Sequence, residues 1–266
     1  MTEWRSYDDI AGTYERVHAP RFVEPARDLV ALAGVAAGNR VLDVGTGTGV
    51  AAQAAGDAAG GAGFAIGADL STGMVRAGRE ARPSVPFVAA SGIDLPFADG
   101  TFDVVVANFV VSHFPSYETG LFEMTRVLRP GGRLALSAWS DAADELQQTW
   151  GEVIQEFVPR ELLEPVWKET APWHERFRDR DLFEKALIDA GLNHVRTEPY
   201  DYHFVMSLDD YLAGVEVWGT GRFVRSMLGE DGWQRLTARA REVFSERFAD
   251  PLNDFQSALL GVGTKP

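Results

Sequence analysis

Apolar and polar positions follow two different periods along the first half of the chain. Short, largely apolar runs are typical of strands that are buried on both faces of a sheet. Such runs occur at residues 40–44, 64–69, 85–90, 102–109 and 133–139. The segments between them show the helical spacing of apolar residues. This alternation predicts an α/β fold with a Rossmann-like, doubly wound and mostly parallel sheet.

The pattern changes in the second half of the chain, where two helical stretches interrupt the alternation. Residues 140–178 are aromatic-rich and helical in spacing, residues 179–206 return to the sheet, and residues 207–252 are helical again. Residues 253–266 alternate enough to form a closing strand. We therefore expect a single domain with a seven-stranded sheet and two helical cap insertions, in which residues 1–139 form the ligand-binding half.

The segment before the first predicted strand carries a row of aromatic and aliphatic residues. Trp4, Tyr7, Ile10 and Tyr14 lie three or four positions apart. This spacing places them on one face of a helix that precedes the sheet.

The composition excludes several classes of function. The chain of 266 residues carries 39 acidic and 25 basic side chains, which gives a formal net charge of -14. A surface this acidic repels a phosphate backbone, so nucleic acid is not expected as a partner. Cysteine is absent and the five histidines lack the spacing of metal ligands, so no metal site is expected.

No apolar run reaches the length of about 20 residues that spans a bilayer. The N-terminal residues also lack the basic and then apolar layout of a signal peptide. We therefore expect a cytoplasmic protein without a membrane partner.

A glycine-rich turn directly follows the first predicted strand. Gly45, Gly47 and Gly49 allow the backbone to approach a ligand closely and to direct amide hydrogens towards it from the start of a helix. Asp69 ends the next strand, where a carboxylate accepts hydrogen bonds from ribose hydroxyls. These residues predict an adenosine site. A dinucleotide site needs a further glycine where this chain has Val50, so nicotinamide cofactors are less favoured.

The run from Asp43 to Gly49 resembles motif I of the class I S-adenosylmethionine-dependent methyltransferases. Three later elements resemble the same family in its order and spacing, namely Gly67-Ala68-Asp69-Leu70-Ser71 with Met74, Leu95-Pro96-Phe97 with Phe102-Asp103, and Arg126-Val127-Leu128-Arg129-Pro130-Gly131-Gly132. The segment from Tyr7 to Tyr14 is similar to the helix that precedes this domain in small-molecule methyltransferases of menaquinone biosynthesis and natural-product pathways. The resemblance implies S-adenosylmethionine as the cofactor.

The resemblance also implies roles for individual residues. The glycines of the turn would face the methionine part of the cofactor, Asp43 would orient its ammonium group, and Asp69 would hold the ribose. Relatives often carry an acid that contacts adenine where this chain has Ser91. The further cofactor contacts implied by the resemblance are Leu70, Met74, Ser91, Gly92 and Ile93 at adenine, and Asn108 and Tyr14 at the methionine end. Packing is the alternative for Met74, and a hydrogen bond to the loop backbone is the alternative for Asn108.

His113 aligns with a histidine that is frequent in the small-molecule members of the family. It is a candidate general base, and a packed, hydrogen-bonded histidine is the alternative. His174 and His203 are the reserve candidates, one in the first cap insertion and one in the strand that follows it. Aromatic side chains that combine packing with a substrate-pocket wall are expected at Trp139, Trp150, Trp173, Trp218 and Phe223.

The expected function is methyl transfer from S-adenosylmethionine to a small acceptor of the natural-product or secondary-metabolite kind. Oxygen is the first choice of acceptor atom, and nitrogen and carbon remain open. A rival is a cofactor-binding protein that catalyses a different reaction in the same pocket, and a nicotinamide oxidoreductase is a weaker rival. The residues do not specify the acceptor or the oligomeric state.

Overall fold

The computed structural model describes residues 6–140 and 144–266. Seven strands form one sheet in the order β3-β2-β1-β4-β5-β7-β6, in which β7 runs antiparallel to both neighbours. The strands are β1 (Arg40–Val44), β2 (Phe64–Asp69), β3 (Phe87–Ala89), β4 (Phe102–Asn108), β5 (Leu128–Trp139), β6 (Asn193–Met206) and β7 (Leu252–Thr264). This architecture confirms the predicted seven-stranded, mostly parallel Rossmann-like sheet.

Eleven α-helices connect and cover these strands in the described part of the chain. They are α1 (Ala11–Val17), α2 (Val23–Leu32), α3 (Val50–Ala59), α4 (Thr72–Ala81), α5 (Tyr117–Val127), α6 (Glu145–Gln155), α7 (Arg160–Thr170), α8 (His174–Arg178), α9 (Arg180–Asp189), α10 (Leu208–Val217) and α11 (Gly219–Arg247). Short 3₁₀ helices lie at Ala19–Phe22, Gly60–Ala62 and Val111–His113.

The five parallel strands are apolar because helices cover both faces of the sheet. On one face, Leu42 and Val105 pack with Met124 of α5. On the other face, Val41 and Val104 belong to a core that includes residues of α2. The chain passes from β1 to β2 on one side, and β4 lies on the other side of β1. This reversal of direction opens a crevice at the carboxyl ends of β1 and β4.

Helices from the two insertions form a separate apolar core, and we call these helices (α6, α7, α10 and α11) the cap. Trp150 of α6 and Trp233 of α11 meet edge to face with ring centroids 6.2 Å apart in this core. Gly229 has a φ of 67°, which breaks the helical geometry of α11 at a kink. The cap is therefore stabilised by its own side chains and not only by the sheet beneath it.

The N-terminal segment differs from the predicted helix. Helix α1 begins only at Ala11, so Tyr7 and Ile10 precede it, and Trp4 lies outside the described residues. The carboxylate of Asp8 explains the difference, because it accepts a hydrogen bond from the backbone N–H of Gly73 at 2.7 Å. This bond ties the segment to the start of α4 and leaves it in turn conformation.

Several strand boundaries also differ from the predicted runs. Strand β5 begins at Leu128 and not at residue 133, and β4 ends at Asn108 and not at residue 109. Strand β3 covers only Phe87–Ala89, because it is an edge strand that pairs with the last three residues of β2. The closing strand starts slightly earlier than expected, at Leu252, where it pairs with Met206 of β6.

Asp103 links three parallel strands at the end of the sheet opposite the crevice. Its carboxylate accepts hydrogen bonds from the backbone N–H of Arg40 at 2.7 Å and from Nε of Arg129 at 2.6 Å. Burial alone would raise the pKa of Asp103, but the hydrogen bonds from Arg129 and Arg40 outweigh it and lower this pKa to about 2. The carboxylate therefore stabilises the folded chain when it is ionised.

We expect Asp103→Asn to lower the free energy of unfolding by about 2 kcal/mol at pH 7. Because the folded pKa lies below the unfolded pKa, the stabilisation is fully present above the unfolded value and is lost as the pH falls towards 2. Urea titrations at pH 7 and pH 3 should show the difference shrinking to about half. Asp99→Asn removes a carboxylate that is 79% exposed and serves as the control with little expected effect. Equal losses in the two variants would contradict the role of Asp103.

Candidate active site

A cavity of about 690 Å³ opens at the carboxyl ends of β1 and β4, where the strand order switches. The loop after β1 forms one wall, the N-terminal segment forms a second, and residues from the cap and α8 form a third. A shallower groove of about 820 Å³ is lined only by residues of α10 and α11. The cavity at the switch point is therefore the candidate site.

The loop after β1 contains backbone conformations that favour glycine. Gly45 and Gly47 have φ of 67° and 55°, and both line the cavity. A Cβ atom at Gly45 would lie 2.3 Å from Cγ2 of Val110, whereas one at Gly47 would lie 3.7 Å from the ring of Tyr14. Gly49 lies outside the cavity wall, where it caps the N-terminus of α3. Two of the three predicted glycines thus bring backbone to the cavity.

Asp43 lies beneath this loop with its side chain fully buried. Its Oδ2 accepts a hydrogen bond from Oγ1 of Thr46 at 2.5 Å, while Oδ1 has no hydrogen-bond partner among the described residues. Burial raises the pKa of Asp43 to about 7, although the bond from Thr46 opposes this shift. Oγ1 of Thr48 is buried without a partner as well. Both residues line the cavity, so these polar atoms can be satisfied by a ligand.

Asp69 ends β2 at the same wall of the cavity. Its carboxylate accepts hydrogen bonds from the backbone N–H of Gly47 and of Ser71, at 2.7 and 2.8 Å. Burial raises the pKa of Asp69, and the two amide bonds oppose this rise. Each oxygen keeps acceptor capacity beyond its amide bond, so Asp69 can also accept hydrogen bonds from a ligand.

The N-terminal segment contributes two polar rings to the cavity, Tyr14 and His18. Burial raises the pKa of Tyr14, so its hydroxyl stays protonated and can donate a hydrogen bond. Nε2 of His18 lies 3.0 Å from the carbonyl oxygen of Gly214, to which it donates. Burial lowers the pKa of His18 to about 4 and keeps the ring neutral. Tyr14 therefore lines the cavity close to Gly47, and its contact to the methionine end stays a prediction.

Of the five residues predicted to contact adenine, only Met74 lines the cavity. Leu70 does not, and its side chain is 73% exposed because it directly follows the end of β2. The three residues Ser91, Gly92 and Ile93 lie in the turn after β3, where Ser91 pairs with Asp94 and Ile93 packs against the core of the sheet. The structure brings none of these three to the cavity wall.

Asn108 closes β4 and lines the cavity. Oγ of Ser137 accepts a hydrogen bond from the backbone N–H of Phe109 at 2.9 Å and donates one to Oδ1 of Asn108 at 2.7 Å. Ser137 is completely buried, so its single hydroxyl hydrogen is fixed in this direction. These bonds support the left-handed conformation of Phe109, whose φ is 55°. The amide NH₂ of Asn108 remains available to a ligand.

His113 follows β4 and lines the cavity on the cap side. Nδ1 of His113 lies 2.5 Å from the carbonyl oxygen of Thr170 in α7. A carbonyl oxygen can only accept, so Nδ1 carries the hydrogen and Nε2 is the free acceptor of the neutral ring. Burial lowers the pKa of His113 below its ordinary value. The ring is therefore neutral at pH 7 and has a basic nitrogen available.

Two further hydrogen bonds fasten the turn that carries His113 to the segment between α7 and α8. The backbone N–H of Trp173 donates to the carbonyl oxygen of Ser112 at 3.2 Å, and Nε1 of Trp173 donates to the carbonyl oxygen of Phe114 at 2.8 Å. The position of His113 is thus set by this segment as well as by β4.

The remaining sequence-predicted residues divide between the cavity and the apolar cores. His174, Trp139 and Trp218 line the cavity. His203 lies on the exposed side of β6, where its ring contacts Phe255. Three of the predicted aromatic residues do not line the cavity, because Trp150 and Phe223 pack in the cap core and Trp173 packs against the core of the sheet.

Arg21 and Gln256 are among the polar residues of the cavity wall that sequence reasoning missed. Arg21 lies in a short 3₁₀ helix and carries no motif that would reveal it. Gln256 and Asp254 occupy inward positions of β7, two residues apart, and both are buried. Polar residues at alternating buried positions of an otherwise apolar strand are the signal that could have revealed Gln256.

Within residues 6–140 and 144–266, no helix has both the length and the apolarity that crossing a membrane requires. The same residues contain no group of three or more His, Cys, Asp or Glu that could hold a metal ion. The unpartnered oxygens of Asp43 and Thr48, the glycine backbone and the carboxylate of Asp69 fit an adenosine ligand with an ammonium group. The residues present therefore fit the cofactor that the resemblance implies.

Comparison with known proteins agrees with this geometry. A family model described as a methyltransferase domain matches residues 42–136. A demethylmenaquinone methyltransferase from Beutenbergia cavernae is 43% identical over 158 residues, which cover 59% of this chain and 61% of the relative. One from Corynebacterium urealyticum is 41% identical over 106 residues, which cover 40% of this chain and 44% of the relative. The chain thus spans less than two thirds of the length of these relatives.

The solved phosphoethanolamine N-methyltransferase 2 from Haemonchus contortus, in complex with phosphomonomethylethanolamine and S-adenosylhomocysteine, has a TM-score of 0.58 to this chain. The sequence identity is 16%, and the match covers 98% of this chain and 58% of that one. At this identity the likeness shows the fold alone. Residues 42–136 are therefore similar to a methyltransferase domain and to the matching part of demethylmenaquinone methyltransferases.

Proposed function

We propose that the protein transfers the methyl group of S-adenosylmethionine to a hydroxyl oxygen of a small molecule. The observation that supports this proposal is that one cavity contains both the candidate cofactor ligands and a candidate base. Asp43 and Asp69 lie with the glycine loop on one wall, and the neutral ring of His113 lies on the cap side of the same cavity. An oxygen nucleophile between the two regions could be deprotonated as it attacks a methyl group.

Four groups would hold the cofactor. Oδ1 of Asp43 would accept a hydrogen bond from the ammonium group and Asp69 would accept from the ribose hydroxyls, while Tyr14 would donate to the carboxylate and Met74 would pack against adenine. When bound, S-adenosylmethionine supplies an electrophilic methyl group on a positively charged sulfur. The two buried carboxylates favour a ligand of positive charge, because each has its pKa raised by burial and gains from a cationic neighbour.

His113 would take the proton of the acceptor hydroxyl at Nε2 while the oxygen–carbon bond forms. Its Nδ1–H is held by the carbonyl oxygen of Thr170, which prevents the ring from turning the wrong nitrogen towards the acceptor. Thr170 belongs to the cap, so closure of the cap and orientation of the base are one structural event. The cap also excludes water, which strengthens the electrostatic interactions inside the cavity.

Two aromatic side chains of the cavity wall support the proposal of an aromatic acceptor. The rings of Phe109 and Trp139 are stacked with centroids 3.8 Å apart and an interplanar angle of 17°. Both residues line the cavity and give it an aromatic, apolar surface, and Asn108 lines the same cavity. The relatives are named for demethylmenaquinone as their acceptor, and we extend an aromatic small-molecule acceptor to this chain as part of the proposal.

Cofactor binding is the first expected outcome. The protein should bind S-adenosylmethionine, and Asp69→Ala should weaken binding about tenfold or more, which is roughly 1.4 kcal/mol, because the ribose loses a charged acceptor. Isothermal titration calorimetry measures both dissociation constants. Asp57→Ala removes an exposed carboxylate of α3 and is the matched control. An unchanged constant in Asp69→Ala would exclude this residue from the cofactor site.

Catalysis gives the second expected outcome. The assay measures the formation of S-adenosylhomocysteine with a library of phenolic acceptors. His113→Gln should lower the kcat of this reaction by about 10² to 10⁴-fold, while cofactor affinity changes little. Because the pKa of His113 lies below its ordinary value, wild-type activity should fall on acidification as the ring becomes protonated, and this acidic limb should be absent in the variant.

The control for this variant is His174→Gln, which changes a second histidine of the same cavity. It should keep the acidic limb. A loss below about tenfold in His113→Gln would assign His113 to packing. Cofactor binding without S-adenosylhomocysteine formation from any acceptor would favour the rival, a protein that uses the cofactor without methyl transfer.

A further inference from the structure

A buried polar cluster lies beneath part of the cavity wall, and it consists of Arg21, Asp144, Asp254 and Gln256. Asp254 is 2% exposed, and its two carboxylate oxygens have different partners. Oδ2 accepts a hydrogen bond from Nη2 of Arg21, and Oδ1 accepts one from Nε2 of Gln256 at 2.7 Å. Arg21 and Gln256 are therefore neighbours on either side of one carboxylate, and both line the cavity.

The sheet order places this cluster away from the cofactor wall. The glycine loop follows β1, whereas Gln256 lies on β7, and β4 and β5 separate these strands. Neighbouring strands are about 4.8 Å apart, so three steps across the sheet correspond to about 14 Å. Arg21 also lies at this side, since its guanidinium stacks at 4.8 Å on Phe204 of β6. The cluster consequently faces the part of the cavity that remains for the acceptor.

Both cavity-lining members of the cluster keep hydrogen-bonding capacity that the protein does not use. Nε and Nη1 of Arg21 have no hydrogen-bond partner within the described residues, and neither does Oε1 of Gln256. Arg21 is only 15% exposed and Gln256 only 7%. Both residues line the cavity, so a ligand bound there can use this free capacity. Together they offer N–H donors beside a carbonyl acceptor.

The charges behind this pair determine which ligand fits. The positive charge of Arg21 is compensated by the buried carboxylate of Asp254, with Asp144 as a second carboxyl group against it. Burial and the neighbouring Asp144 raise the pKa of Asp254 to about 6, so the Asp254 carboxyl group is still mostly ionised at pH 7. Tyr211, whose hydroxyl is buried without a partner, also faces this group and adds no charge because burial raises its pKa. At pH 7 the ionised Asp254 compensates the charge of Arg21, so the cluster offers no excess of positive charge to an anion.

We propose that Arg21 and Gln256 form a specificity site for an uncharged hydroxyl group of the aromatic acceptor, remote from the atom that is methylated. The hydroxyl oxygen accepts from Arg21 N–H and donates its hydrogen to Oε1 of Gln256, while the ring packs against the aromatic pair of Phe109 and Trp139. This assignment rests on the proposed function for the identity of the acceptor, but it concerns the binding of the acceptor and not the methyl transfer. The acceptor class is an aromatic compound with a second hydroxyl group besides the one that is methylated.

The test measures binding of naphthalene probes to the protein saturated with S-adenosylhomocysteine, by equilibrium dialysis at pH 7. 2-Naphthol should bind at least about tenfold more tightly than 2-fluoronaphthalene, because a site that hydrogen-bonds a hydroxyl rejects the analogue without it. Gln256→Met should reduce this preference to about twofold or less. Arg21→Lys, which keeps the charge but loses the forked donor, should also reduce it.

Gln147→Met is the matched control, because Gln147 lines the same cavity from α6 but makes no hydrogen bond to Asp254 in the described structure. It should keep the full preference for 2-naphthol. The dissociation constant for S-adenosylhomocysteine should be the same in wild type and variants, which excludes loss of folding as the cause.

Three results would overturn the assignment. The first is that wild type binds 2-naphthol and 2-fluoronaphthalene equally tightly, or binds neither. The second is that Gln256→Met keeps the full preference for 2-naphthol. The third is that 2-naphthoate binds more tightly than 2-naphthol, which would make the cluster an anion site. Failure of S-adenosylhomocysteine to bind at the outset would instead contradict the proposed function. The two failures are therefore distinguishable.

Discussion

The burial of one carboxylate, that of Asp43, is the constraint on which the rest of the site depends. An ionised carboxylate without full hydrogen bonding is costly in the interior, and the raised pKa of Asp43 is the direct consequence. Thr46 and the backbone N–H of Ala52 compensate the carboxylate in part, and Oδ1 has no hydrogen-bond partner among the described residues. This oxygen is left to a ligand with a cationic donor, and the glycines keep the backbone close enough for such a ligand to reach it.

The order of the strands sets where the other residues of the cavity wall lie relative to Asp43. Strands to one side of β1 supply Asp69 and the start of α4, while β4 supplies Asn108 and leads to His113. β5 and β7, further along the same side, supply Trp139 and Gln256. Because each step across the sheet moves the wall by one strand spacing, the groups proposed for the cofactor, the base and the acceptor follow one another in strand order. The cap joins this arrangement through the bond from His113 to Thr170.

The sequence was sufficient to predict the parts that depend on local pattern. The strand runs and the spacing from the glycine turn to Asp69 are such parts, because buried parallel strands and ligand turns have a signature in a few adjacent residues. Contacts that depend on distant segments had no such signature. Arg21 and Asp254 are 233 positions apart in the chain, and whether Trp150 faces the cavity or the cap core depends on the packing of α11 against α6. Leu70 differed for a third reason, because a residue just beyond a strand can face solvent as readily as a ligand.

The proton balance of cofactor binding tests the central claim about Asp43 most directly. Calorimetric titration of S-adenosylhomocysteine at pH 7, in buffers with different ionisation enthalpies, reports the protons released on binding. A carboxyl group with a pKa of about 7 that ionises against an ammonium group should release about half a proton. 5′-Methylthioadenosine, which lacks the amino-acid part, should release none. Binding heats of S-adenosylhomocysteine that are the same in all buffers would contradict the account.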